Sequence, residues 1–168
     1  MLHLPTVVAA LVLLIVLTPS CLWVIFTDLK YMKIRNAASL TLLGVFVVVG
    51  PLVMPFGDWA WRWSHLAVVL AVGLVLNMVA HFGMGDVKFA AAGAPLISHT
   101  PGSLQLVLLL IATTTLITFA LHRIARAIPA VRRATPDWES WKRADFPFGL
   151  VLATTLWGYY ALIVAITA

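Results

Sequence analysis

Six apolar stretches alternate with short polar or Gly- and Pro-containing segments along the 168-residue chain, falling near residues 5–27, 37–56, 63–81, 86–99, 103–122 and 147–167. A hydrocarbon layer about 30 Å thick is crossed by roughly 20 helical residues rising 1.5 Å each. The pattern therefore predicts an all-α polytopic membrane protein with about six transmembrane helices. The fourth stretch is short and carries Gly93 and Pro95, which also suits a re-entrant segment. Pro19 is expected to kink the first helix. That helix reads as mature, because no basic segment precedes it and Thr18-Pro19-Ser20 makes a poor processing site. The gaps leave no room for a soluble domain, so residues 1–168 read as one transmembrane domain.

Composition agrees, with 62% apolar and 10% charged residues and a mean hydropathy of +1.04. The charges add an orientation. Lys30, Lys33 and Arg35 lie in the first gap, Lys88 in the third, and Arg123, Arg126, Arg132, Arg133, Lys142 and Arg143 in the fifth, which is ten of the eleven basic residues. Basic loops stay in the cytoplasm, so both termini are expected outside, and the fourth stretch must cross to keep Lys88 and the fifth gap on one face. Trp59, Trp61 and Trp63 then belong to the outer interface and Trp138 and Trp141 to the inner one. Thr135 is expected to cap a helix starting at Pro136, with the two inner tryptophans on one face at i, i+3. Thr113, Thr114, Thr115, Thr118, Thr154, Thr155 and Asn77 read as helix-packing residues.

Several chemistries find no support. Cys21 is the single cysteine and reads as a small buried hydrophobe. His3, His65 and His99 fall on the outer side, His81 and His122 on the inner, without metal-ligand spacing. No metal, no cofactor and no nucleic acid is expected. What stands out is Asp28, closing the first apolar run, and Asp86, after two glycines in HFGMGDVKF. Ionisable groups at the hydrocarbon edge are costly and usually serve a pathway or chemistry. If the two share one water, repulsion and partial desolvation leave them one proton, and the pair becomes an acid/base device.

The residues around these acids resemble a known family. TDLKYMKIRNAASL is similar to the first-aspartate motif of the type IV prepilin peptidases, matching Asp28 and Asn36; GMGDVKFAAAG resembles their Gly-x-Gly-Asp motif with its lysine, matching Gly83, Gly85, Asp86 and Lys88. FPFGLVLATTLWG resembles the Pro-aromatic-Gly entry to the last helix, matching Pro147, Phe148 and Gly149. The resemblance implies a GxGD aspartic protease of the bacterial cytoplasmic (inner) membrane, with Asp28 and Asp86 catalytic and prepilins or pseudopilins, beside membrane lipid, as partners. Arg35 stands where many relatives have proline. The paired Cys-x-x-Cys motifs of the larger members, which also methylate pilins, are missing. The chain resembles the short peptidases of tight-adherence (Flp) pili, and methylation is unsupported.

Beside the resemblance, individual residues keep two readings. Gly83 and Gly85 serve unusual backbone angles and close approach of substrate, or a plain turn. Lys88 anchors the inner face, or acts on a headgroup or on Asp86; Asn36 orients Asp28 or caps a helix. Asp137, Glu139 and Asp145 offer acidic contacts to a basic leader, or are solvated interfacial charges. Two other functions use the same equipment: a small ion or proton transporter, and a noncatalytic pilus-assembly protein. Against the first, the halves show no inverted repeat and both acids lie at one face.

Overall fold

The computed structural model describes residues 6–167. Its elements are α1 (Thr6–Tyr31), α2 (Asn36–Val48), α3 (Gly50–Val53), α4 (Phe56–Ala80), α5 (Met84–Gly93) continued by a 3-10 turn (Ala94–Leu96), α6 (Pro101–Ala127), α7 (Pro129–Ala134), a second 3-10 turn (Glu139–Trp141) and α8 (Phe148–Thr167). No strand occurs among the described residues. Four helices, α1, α4, α6 and α8, are long and apolar enough to cross a membrane. The second and fourth apolar stretches differ from expectation. The second is a 13-residue helix, about 20 Å long, broken from α3 just before Gly50-Pro51. The fourth is a 10-residue helix, about 15 Å long, tightening into a 3-10 turn at Pro95. α1 nevertheless runs continuously through Pro19.

Burial follows the helical period. Leu13, Leu17, Cys21 and Val24 bury one stripe of α1; Ala38, Leu42 and Phe46 bury one of α2; and Val151, Leu156, Tyr159 and Tyr160 bury the facing side of α8. α1 and α8 pack along each other, and α5 sits among α2, α4 and α8. α5 is enclosed nearly all round through Val87, Phe89, Ala91, Ala92 and Gly93. By contrast α4 buries only Gly73, and α6 only Thr118 and His122. Their exposed Val72, Val75, Met78, Val79, Leu108, Leu116 and Leu121 form the apolar face that lipid would cover.

Small residues and hydroxyls set the helix spacings. A methyl group at Gly73 would meet Val87 Cγ1 at 2.5 Å, so α4 and α5 touch through that glycine. Thr114 and Thr155 hydroxyls meet at 2.8 Å between α6 and α8, and Trp157 Nε1 donates to Thr18 Oγ1 at 3.1 Å between α8 and α1. Thr113, Thr115, Thr118 and Thr154 instead donate to carbonyls of their own helices. Of the three outer tryptophans, Trp61 is 63% exposed, whereas Trp59 turns inward, stacks on Phe46 at 5.8 Å and donates to the Phe46 carbonyl at 3.0 Å.

The expected helix at Pro136 does not form. Thr135 ends α7 rather than capping a new helix, and its hydroxyl donates back to the Val131 carbonyl at 2.8 Å. Trp138 and Trp141 do share a face, with rings stacked 5.7 Å apart, but they pack inward: Trp138 against Phe26 of α1 and Trp141 against His122 of α6. His65 lies near the Ala94 carbonyl and 6.4 Å from the His99 ring, His81 adopts a left-handed conformation at the end of α4, and His3 lies outside the described residues.

The tight α4–α5 approach yields a stability test. Gly73→Leu should overpack the Val87 contact at a cost of about 1–3 kcal/mol and lower the thermal unfolding midpoint of detergent-solubilised protein. Gly44→Ala, which faces open space, should leave the midpoint unchanged or raise it. A Gly73→Leu variant melting with the parent would show that α4 and α5 are not packed through this glycine.

Candidate functional site

The site is built where chain segments enter and leave helices at one end of the bundle. Asp28 lies one turn before the end of α1 and is 5% exposed. The helix closes with the Met32 N–H donating to the Asp28 carbonyl at 2.9 Å, and Met32 takes a left-handed φ of 52° that turns the chain into the extended segment Lys33–Arg35. Asp86 lies in the first turn of α5, half-buried. The two carboxylates come from helices far apart in sequence yet stand close enough for their charges to interact.

The third motif completes the enclosure. Pro147 is fully buried directly before α8, and the backbone amides of Gly149 and Leu150 in the first turn of α8 face the Asp28 carboxylate. Both acids therefore stand at the positive end of a helix, Asp86 in α5 and Asp28 against α8. That placement favours an anion by about 0.3–1 kcal/mol, more where partly buried. Asp28 Oδ2 is buried and makes no hydrogen bond among the described residues. It lies against the bare backbone of Gly149.

The glycines work by close approach rather than by unusual angles, since none of them has a positive φ. A Cβ at Gly83 would collide with Asp86 Oδ2, so the carboxylate folds back over that glycine. At Gly85 it would meet the Cβ and carbonyl of Ile34, each at 3.3 Å. At Gly149 it would lie 2.7 Å from Ile34 Cδ1 and 2.8 Å from Asp28 Oδ2. These are backbone surfaces against which other groups are laid.

Asn36 and Lys88 also meet. Asn36 is the first residue of α2 but provides no cap; Arg35 occupies the cap position without a side-chain bond. Lys88 Nζ donates to Asn36 Oδ1 at 3.3 Å, tying α5 to α2 beside the acids. Asn77, expected to pack between helices, instead donates to the Phe82 carbonyl, and the Phe82 ring meets Phe148 edge-on at 5.1 Å. The GxGD turn is thus tied to the start of α8. Sequence reasoning missed Phe82 and Ile34. An isolated isoleucine between Lys33 and Arg35 was the available signal for the second.

At the opposite end a cavity of about 540 Å³ is lined by Asp58, Arg62, Ser98 and Tyr159, remote from both aspartates. No group of three or more His, Cys, Asp or Glu side chains gathers at a metal-binding spacing among the described residues.

The described residues are all-helical, with Asp28 near the end of α1 and Asp86 in the first turn of α5. The model of the type IV leader peptidase family matches residues 7–121, and the chain belongs to that family. The matched span includes Asp28, Asn36, Gly83, Gly85, Asp86 and Lys88, and ends before Pro147 and Gly149. No curated protein and no solved structure matches the chain significantly.

The Asn36–Lys88 contact makes a specific prediction. Asn36→Ala, Lys88→Ala and the double variant should each lose similar, small stability, below about 1 kcal/mol as for exposed polar pairs, because each removes one shared bond. A double-mutant cycle on thermal unfolding in detergent measures this. Fully additive losses would show that the bond contributes nothing.

Proposed function

We infer that this protein is an aspartic endopeptidase of the bacterial cytoplasmic membrane that removes the leader of type IV, Flp-like prepilins or pseudopilins. One observation carries the reading: two carboxylates on separate helices are gathered at one end of the bundle, with a buried, unpartnered oxygen of Asp28 against Gly149. Membership of a leader peptidase family supports it.

In this reading Asp28 and Asp86 hold one proton between them. The ionised carboxylate takes a proton from water as the water attacks the scissile carbonyl. The protonated partner donates to the carbonyl oxygen, and proton return to the nitrogen releases the new N-terminus. No covalent acyl-enzyme forms. The roles of the two acids are interchangeable in this scheme.

The basic gaps place the site at the cytoplasmic face. There a prepilin presents the junction between its basic leader and its apolar helix. A helical carbonyl is already hydrogen-bonded, so the substrate must be extended at the cut. The bare backbone faces of Gly83, Gly85 and Gly149 suit the close packing this requires. Methyl transfer finds no support in the sequence, which lacks the paired Cys-x-x-Cys motifs of the larger members. Cleavage by this protein proceeds without a methyl donor.

Asp28→Asn and Asp86→Asn should each lower cleavage of a prepilin in lipid by about 10³-fold, within the range for losing an acid/base group, with membrane insertion unchanged. Asp58→Asn, at the remote cavity, should cleave like the parent. Parental cleavage by either dyad variant would remove that acid from the mechanism, and proton flux without cleavage would favour a transporter.

Orientation has its own test. In a Cys21→Ala background, single cysteines at Ala37 and Ala134 should react with an impermeant thiol reagent only from the cytoplasmic side, and one at Gly102 only from outside. Reaction of Gly102→Cys from the cytoplasm alone would overturn the crossing of the fourth stretch.

A further inference from the structure

One side chain reaches both the GxGD turn and the start of α8, and although it lies within the first-aspartate stretch it is not one of the matched motif positions. Ile34 lies in the extended segment between α1 and α2, flanked by exposed Lys33 and Arg35. Its Cβ and carbonyl lie against Gly85 in the GxGD turn, its Cδ1 and Cγ1 lie against Gly149 at the start of α8, and Asp28 Oδ2 shares that same face of Gly149. A Cβ at Gly149 would stand 2.7 Å from Ile34 Cδ1, 3.0 Å from Ile34 Cγ1 and 2.8 Å from Asp28 Oδ2. A single apolar side chain thus spans the gap between the elements that carry Asp86 and those that enclose Asp28.

Packing is what holds this segment. Its backbone hydrogen bonds stop at Met32 to Asp28 and resume at Ala38 to Arg35 among the described residues, leaving Ile34 without a backbone partner between them. A β-branched side chain is stiff about χ1. Anchored between two glycines, it transmits the position of one helix start to the other with little slack. A leucine or alanine here would satisfy the apolar pattern but not the shape.

We propose that Ile34 is a positioning residue for the aspartate pair: wedged between Gly85 and Gly149, it fixes the spacing of the α5 and α8 helix starts and so the placement of Asp28 relative to Asp86. The inference rests on those two aspartates being the reacting pair. It makes the two glycines requirements of a neighbouring side chain rather than of the substrate alone. Shortening Ile34 should then relieve part of the clash at a substituted Gly149, the part not made with Asp28 Oδ2.

The test measures kcat and KM for prepilin cleavage by purified full-length enzyme in lipid, for Ile34→Val, Ile34→Ala, Gly149→Ala and the Ile34→Ala/Gly149→Ala double variant. Misplacement of reacting groups by about 1 Å can cost about 100-fold. In folded, membrane-inserted protein Ile34→Ala should lower kcat by about 10- to 100-fold with KM within about twofold, while Ile34→Val stays within about threefold of the parent. The double variant should lose less than the product of the two single losses, a coupling expected of contacting residues. Parental kcat in Ile34→Ala, a change confined to KM, or fully multiplicative losses in the double variant would overturn the proposal. If Gly149→Ala does not accumulate, the Ile34 series decides by itself. Asp28→Asn separates the two levels: cleavage by it defeats the peptidase reading, whereas an inactive Asp28→Asn with a fully active Ile34→Ala defeats only the role of Ile34.

Discussion

The enclosure of the Asp28 carboxylate is the constraint around which the rest of the bundle is arranged. A carboxylate at 5% exposure near a hydrocarbon edge is costly unless dipoles or donors face it. The protein supplies them by bringing the first turn of α8 against the end of α1, so that the free amides of a helix start lie where the charge is. This requires α1 and α8 to run side by side, which their buried stripes achieve. It also requires a helix start with no side chain at the point of contact. Gly149 meets that requirement, and buried Pro147 fixes the approach.

Asp86 is held by the same means with different parts. α5 is short and buried on nearly all sides, and its first turn is set by α4 through Gly73, by α8 through Phe82 and Phe148, and by α2 through Lys88 and Asn36. The long peripheral helices α4 and α6 expose apolar surface along most of their length. The division of labour is clear: short, crowded segments position the acids, and long, smooth ones meet the lipid.

Much of this was legible in the chain. The 20-residue apolar period located α1, α4, α6 and α8, and the chemistry-bearing residues were found because charge inside an apolar sequence is conspicuous. The shortness of α5 was legible in its brief run and in Gly93 and Pro95, whereas the second apolar run did not reveal that Gly50-Pro51 would interrupt it. Thr135 was misassigned because Thr-Pro suits a helix start, whereas the preceding residues had already formed α7 and the hydroxyl closed it. Gly83 and Gly85 were noticed, but their reason was not, as the side chains laid over them come from Asp86 and from Ile34, about 50 residues earlier. Tertiary contacts of that kind leave no local pattern.

The partnership of α1 with α8 also has a consequence for assembly. Asp28 and the helix start that encloses it are separated by about 120 residues, so the closing contact is among the most distant in the chain. Contacts of such sequence separation form late, after the loop-closure cost has been met. During synthesis the α1 acid must wait, facing water or the insertion machinery, while α2 to α6 enter the membrane. The pair is brought to its final geometry only when α8 docks. A nascent chain therefore carries both aspartates before the start of α8 can close around Asp28.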